Sequence, residues 1–187
     1  MCLANHMKAL FFFSLILCCL NSCGNARTDD SLYLSIAKKR LSSYRVPRKD
    51  YVILIDYRKD IHSERLFLMD MKEGSCILRS KVSHAFNSGT LYASDFSNKE
   101  GSKKSSRGNY VTLGPHNGPM FGYGMLLKGL DRGINDMAEK RAIIFHSNKN
   151  MASLWSWGCF ATDEEVNKKI VGLTKNGCLV SVITSVD

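Results

Sequence analysis

The sequence predicts a mainly β domain with a few short peripheral helices, and three observations predict it. Runs of β-favouring, largely apolar residues recur along the chain, at residues 51–57, 65–71, 76–82, 110–113, 121–130, 142–145 and 178–184. Clusters of Gly, Pro, Asn and Ser separate many of them. Only three short stretches read as helix.

The first helix opens on Asp29-Asp30-Ser31 and carries Leu34, Ala37, Leu41 and Tyr44 at the 3–4 spacing of one face. Acidic residues at its start and Arg40 and Arg45 near its end suit the helix dipole, and Val46-Pro47-Arg48 stops it. It is expected to pack on the outside of the domain. Residues 51–57 (YVILIDY) form a continuous β-favouring run, expected to be central. Residues 65–71 and 76–82 read as a hairpin joined through Lys72-Glu73-Gly74-Ser75. In its second strand Cys76, Leu78 and Val82 are expected on one face and Arg79 and Lys81 on the other, half solvated.

Residues 87–108 are polar, rich in Ser, Lys and Gly, and without a clear period. Loops of this length inside a domain are often functional, so Phe96-Ser97-Asn98 at its middle is expected to border a groove. Strands at 110–113 and 121–130 are separated by the turn-rich Gly114-Pro115-His116-Asn117-Gly118-Pro119. Residues 135–140 predict a short helix leading to the strand that ends on His146. Thr162-Asp163-Glu164-Glu165 reads as a capping box, and the helix behind it carries Val166, Ile170 and Leu173 up to Asn176-Gly177. Residues 178–184 (CLVSVIT) make the last strand.

The 187 residues fit one domain and a leader, and 44% hydrophobic residues suffice for a core, which excludes disorder as the default. Lys8 precedes an apolar run over residues 9–20, too short to span a bilayer but suited to a signal peptide; Met7-Lys8 would also serve as its start. Leu20-Asn21-Ser22-Cys23 resembles a bacterial lipobox, with Cys23 as the lipidated first mature residue. Ordinary cleavage after Gly24-Asn25-Ala26, giving a freely secreted protein, is the alternative. The expected division is a signal peptide over 1–22, a tether and helix over 23–50, and a catalytic domain over 51–187. Export of either kind places the protein at the periplasm or cell exterior and argues against a nucleic-acid partner.

The net charge of +9 falls to +8 without residues 1–22, whose one charged residue is Lys8. A basic surface suits an anionic wall polymer or a membrane, or is simply solvated. Outside the leader and Cys23, three cysteines remain: Cys76, Cys159 and Cys178. An odd number in an oxidising compartment leaves one thiol over even if Cys76 and Cys178 pair.

The chemistry concentrates between Arg141 and Ala161. An apolar strand ends on His146, nine loop residues follow, and then comes Ser156-Trp157-Gly158-Cys159. A neighbouring imidazole can take a thiol's proton and leave a sulfur nucleophile, then return the proton to a leaving amine. Gly158 gives room for backbone amides, those of Gly158 and Cys159, to face a developing oxyanion. Trp155 and Trp157 are candidates for groove walls or for core. Read alone, Cys159 could equally be a small buried hydrophobe and His146 a hydrogen-bonded strand terminus. No Cys-x-x-Cys pair or paired helical histidines suggest a metal, and no cofactor is expected.

Gly129-Leu130-Asp131, Asn135, Ala138, Arg141 to His146 and Ser156-Trp157-Gly158-Cys159 resemble, in order, the murein L,D-transpeptidase catalytic domain. Val82-Ser83-His84, Phe96-Ser97-Asn98 and the Gly101-Ser102 to Ser105-Ser106 stretch extend the resemblance upstream. It implies a β-sandwich with Cys159 as nucleophile and His146 as base. The implied substrate is a peptidoglycan stem peptide, cut at the bond to terminal D-alanine and held as a thioester until a second stem's amine resolves it. It gives His84 a secondary, substrate-side or orienting role. Ser147 stands where the family has glycine, Phe160 where it has proline, and the His146–Ser156 loop is short; these bear on loop shape and substrate preference. An L,D-carboxypeptidase trimming D-alanine and a non-catalytic wall-binding lipoprotein are the alternatives.

Overall fold

The computed structural model describes residues 29–148 and 154–185. The leader and Cys23 lie outside the described residues, and no helix among those described is long and apolar enough to cross a membrane.

The chain is mainly β, as expected. Strand β1 (Tyr51–Asp56) shows why. Val52 and Leu54 point into one apolar cluster, while Ile53 and Ile55 point into another. The run is continuously apolar because both of its faces are buried. Helix α1 (residues 29–43) covers the first face through Tyr33 and Ala37. Helix α2 (Glu164–Thr174) covers the second through Ile170 and Val171.

Eight strands form the main sheet. After β1 come β2 (Leu66–Asp70), β3 (Ser75–Ser80), β5 (Gly108–Gly118), β6 (Gly122–Gly129), β7 (Ile144–Ser147), β9 (Phe160–Thr162) and β10 (Leu179–Ile183). Their spatial order is β3-β2-β1-β10-β5-β6-β7-β9. The β1–β10 and β7–β9 pairs are parallel and the other pairs antiparallel. Short strands β4 (His84–Ala85) and β8 (Trp155–Ser156) form a separate parallel ribbon.

Four local expectations are corrected. Cys76 and Leu78 do not share a face: Leu68 pairs with Leu78 but Met69 with Cys76, so Ile77 is an extra residue in a bulge, and the two side chains enter different clusters. Gly114 to Gly118 are strand, not turn, because the register shifts between Thr112 and Pro115 and so accommodates the proline. The turn of this hairpin is Pro119-Met120-Phe121. Residues 132–142 are successive turns rather than a helix. There the Asn135 side chain accepts from the Asp131 amide and donates to the Asn109 carbonyl, which diverts the backbone from a helical ladder. Helix α2 is capped by Asp163, whose carboxylate accepts from Val166 N at 2.9 Å, while Thr162 belongs to β9.

Candidate active site

Strands β7 and β9 build the site. Phe145 pairs with Phe160 and His146 with Ala161, in parallel register. Cys159 lies one residue before β9, and it lines the same cavity as Ala161 and His146. Both chemistry-bearing residues open onto one cavity of about 790 Å³, walled by Phe86, Met120, Phe121, Trp155 and Trp157. The walls come from three places: the 3-10 turn after β4, the β5–β6 hairpin tip, and the segment before Cys159.

His146 is mostly buried, and its Nδ1–H donates to the Ser147 carbonyl at 2.9 Å. That bond assigns the tautomer and leaves Nε2 as the basic nitrogen. Phe121 lies over the ring with centroids 4.4 Å apart. Burial pushes the imidazole below its ordinary pKa, so it rests neutral at neutral pH.

Burial pushes the Cys159 thiol up, opposed by a backbone hydrogen bond from Ile144 and by the charge of Arg141. The thiol donates to the Ala142 carbonyl at 3.5 Å and does not hydrogen-bond to His146. Sulfur and imidazole therefore face one cavity as a resting, uncharged pair. Ala142 presents its carbonyl from a left-handed backbone, with φ +52°. The kink also means that Ala142 precedes β7 rather than sharing the alternation of Ile144 and His146.

Ser156, Trp157 and Gly158 form the turn into the cysteine. The Ser156 hydroxyl donates to the Cys159 carbonyl at 2.7 Å and accepts from the Gly158 amide at 3.1 Å. The Gly158 amide is thus committed to Ser156 here, not turned toward the cavity. Ser83 adds a second hydroxyl to the Cys159 carbonyl at 3.1 Å, and accepts from the Ala161 amide at 2.9 Å. Gly158 has φ +128°, and a Cβ there would lie 2.8 Å from Ile143 Cδ1 and 3.1 Å from the Lys104 carbonyl oxygen. No other residue fits this turn without shifting it.

Four residues expected at the groove do not line it. Phe96 stacks on Tyr57 with centroids 6.2 Å apart, against the core. The Ser97 carbonyl accepts from Arg141 Nη1 at 2.7 Å. The Asn98 side chain bonds Asp136 and the Met137 amide. His84 is fully buried: Nδ1 accepts from Arg65 Nη2 at 2.9 Å, and Nε2–H donates to the Gly89 carbonyl at 2.8 Å. Its strand pairs with Trp155, so His84 supports a cavity wall from behind. Its sequence segment was legible, but not its orientation. Cys76 and Cys178 are free thiols, as is Cys159.

Burial first, and then the Arg65 charge, lower the His84 pKa to about 4, against an ordinary 6.5. As pH falls, the unfolded chain binds this proton first, while the folded chain resists it. Stability is therefore full above about pH 6.5 and is lost as pH falls toward 4, by about 3 kcal/mol from this group. Urea midpoints measured from pH 7 to 4.5 should fall accordingly in wild type and flatten in His84→Gln. Equal slopes in the two would assign the acid sensitivity elsewhere.

A sequence model of the L,D-transpeptidase catalytic domain matches residues 29–182. No protein with curated annotation matches the chain. Among solved structures, an L,D-transpeptidase from Mycobacterium smegmatis is similar at 10% identity and TM-score 0.46, over 72% of this chain and 59% of that one. One from Mycobacterium tuberculosis H37Rv gives 12% and 0.46, over 72% and 58%. One from Stackebrandtia nassauensis gives 15% and 0.45, over 83% and 65%. The chain thus spans less than two thirds of these proteins, and likenesses of that size carry no chemistry over to it.

Proposed function

Because the chain belongs to the L,D-transpeptidase catalytic domain family, we propose that it is a cysteine acyltransferase acting on peptidoglycan stem peptides. The observation that supports this most directly is that His146 on β7 and Cys159, just before its partner β9, line one apolar cavity. On this reading the stem's terminal D-alanine and the residue before it enter that cavity, and the thiol leaves the Ala142 carbonyl as the peptide carbonyl arrives. The sulfur's proton passes to His146 Nε2, the S–C bond forms, and the carbonyl electrons move onto oxygen. On this reading the Cys159 amide, rather than that of Gly158, which Ser156 already holds, donates to that oxygen. Collapse breaks the C–N bond, and the imidazolium proton leaves on the D-alanine amine.

The thioester then meets the amine of a second stem. That amine loses its proton to His146, forms the new amide and releases the sulfur, which is reprotonated. The same reading makes the protein an exported lipoprotein anchored through Cys23, placing the enzyme beside its polymeric substrate.

Incubation of the purified protein with tetrapeptide muropeptides tests the reaction. Crosslinked dimers and free D-alanine are expected. Trimmed monomers alone would make the protein an L,D-carboxypeptidase, in which water outcompetes the amine. Unaltered muropeptides would end the enzyme reading.

A further inference from the structure

Arg141 belongs to neither the thiol–imidazole pair nor the cavity wall, yet its guanidinium meets the nucleophile turn from beneath. It is half buried among main-chain and hydroxyl oxygens rather than carboxylates. Nη1 donates to the Ser97 carbonyl at 2.7 Å and to the Ser106 hydroxyl. Nη2 donates to the Lys104 carbonyl at 2.5 Å and reaches the Ser102 hydroxyl at 3.5 Å. All these acceptors are neutral, so the positive charge is solvated but not cancelled.

The same Nη2 lies 3.3 Å from where a Gly158 Cβ would stand, and the Lys104 carbonyl it holds lies 3.1 Å from that point. The next residue along the chain, Ala142, has the left-handed backbone that aims its carbonyl at the sulfur. Strain of this kind persists only where the surroundings hold it in place. Four side-chain anchors on the preceding residue are such a restraint.

We propose that Arg141 is the positioning residue of the nucleophile: it clamps the 97–106 loop against Gly158 and holds a fixed positive charge at the turn that carries Cys159. This deepens the acyl-transfer reading and, for its bearing on catalysis, rests on it. The other groups around the sulfur cannot supply the charge. His146 on β7 is neutral at rest, and Tyr57 at the end of β1 is neutral, with its pKa pushed up to about 12 by burial. Lys104 is paired through Nζ with Asp95, and Lys103 lies over the Trp157 ring at 4.9 Å. Arg141 is also the charge named above as opposing the upward push on the thiol.

The deciding readout is the sulfur, with turnover as a secondary one. Alkylation of Cys159 by iodoacetamide is followed against pH, with the modified cysteine located by peptide mass. In Arg141→Met the midpoint should rise by about one pH unit, so that labelling at pH 7 slows about tenfold. Arg141→Lys should keep the wild-type midpoint while muropeptide turnover falls, because lysine retains the charge but cannot span the four acceptors. Should Arg141→Met fail to fold, Ser102→Asp sets a carboxylate against the same guanidinium and should raise the midpoint in the same direction. An unchanged midpoint in folded Arg141→Met, or in Ser102→Asp where the first variant does not fold, overturns the proposal. So does an equal rise in Arg141→Lys. The labelling midpoints do not depend on which peptide the enzyme cuts, so the proposal can fail while acyl transfer stands, and the reverse.

Discussion

Cys159→Ala is expected to reduce acyl transfer to the limit of detection while the fold survives. The sulfur is the atom that would carry the acyl group, and no other thiol among the described residues can replace it. Cys178 is buried against Asp50 and Cys76 sits in the β3 bulge, with both thiols pushed up by desolvation. Loss of the nucleophile should lower turnover by about 10⁴-fold or more. Removing one sulfur from a buried side chain that borders a cavity costs only about 1 kcal/mol, so the urea midpoint should stay near wild type. Intact-mass analysis after exposure to a carbapenem provides a second readout, with one adduct on wild type and none on the variant. An adduct of the same mass on Cys159→Ala would remove Cys159 from the mechanism.

His146→Gln is expected to cost 10²- to 10⁴-fold in turnover, the usual contribution of a positioned general base (about 3–5 kcal/mol). The pH profile should change as well. In wild type the base is active when neutral, and because burial lowers its pKa, the acid limb should fall below the ordinary histidine range. In the variant no group accepts the proton, so residual activity should require thiolate. Since burial raises the thiol, that activity should climb only at alkaline pH. A variant that kept the wild-type acid limb would show that another group is the base.

What the sequence disclosed and what it withheld divide along range of interaction. The strand that carries His146 and the glycine turn before Cys159 were legible because both are local signals. The apolar run at residues 51–55 was legible as an interior strand because both faces are buried. The seat of Cys159 was not. Ser83 reaches Cys159 across 76 residues, and Arg141 gathers acceptors 35 to 44 residues away. Neither has a periodicity that would announce it. The failed helix at 135–140 has a similar cause, since the Asn135 side chain spends its amide on Asn109, 26 residues away. His84 and Phe96-Ser97-Asn98 were found as segments but placed wrongly. A motif records that a residue matters to the site, not whether it faces the cavity or braces its wall.

The parallel pairing of β1 with β10 sets Val52 beside Leu179. The sheet's interior is therefore closed by β10, a strand encoded after both Cys159 and His146. A nascent chain that already contains the thiol and the imidazole still lacks the strand on which β1 and β5 dock. Such long-range closure is slow and comes late. The order of synthesis thus puts this part of the scaffold after those side chains: a chain interrupted before β10 would carry the thiol and the imidazole without the strand that joins β1 to β5.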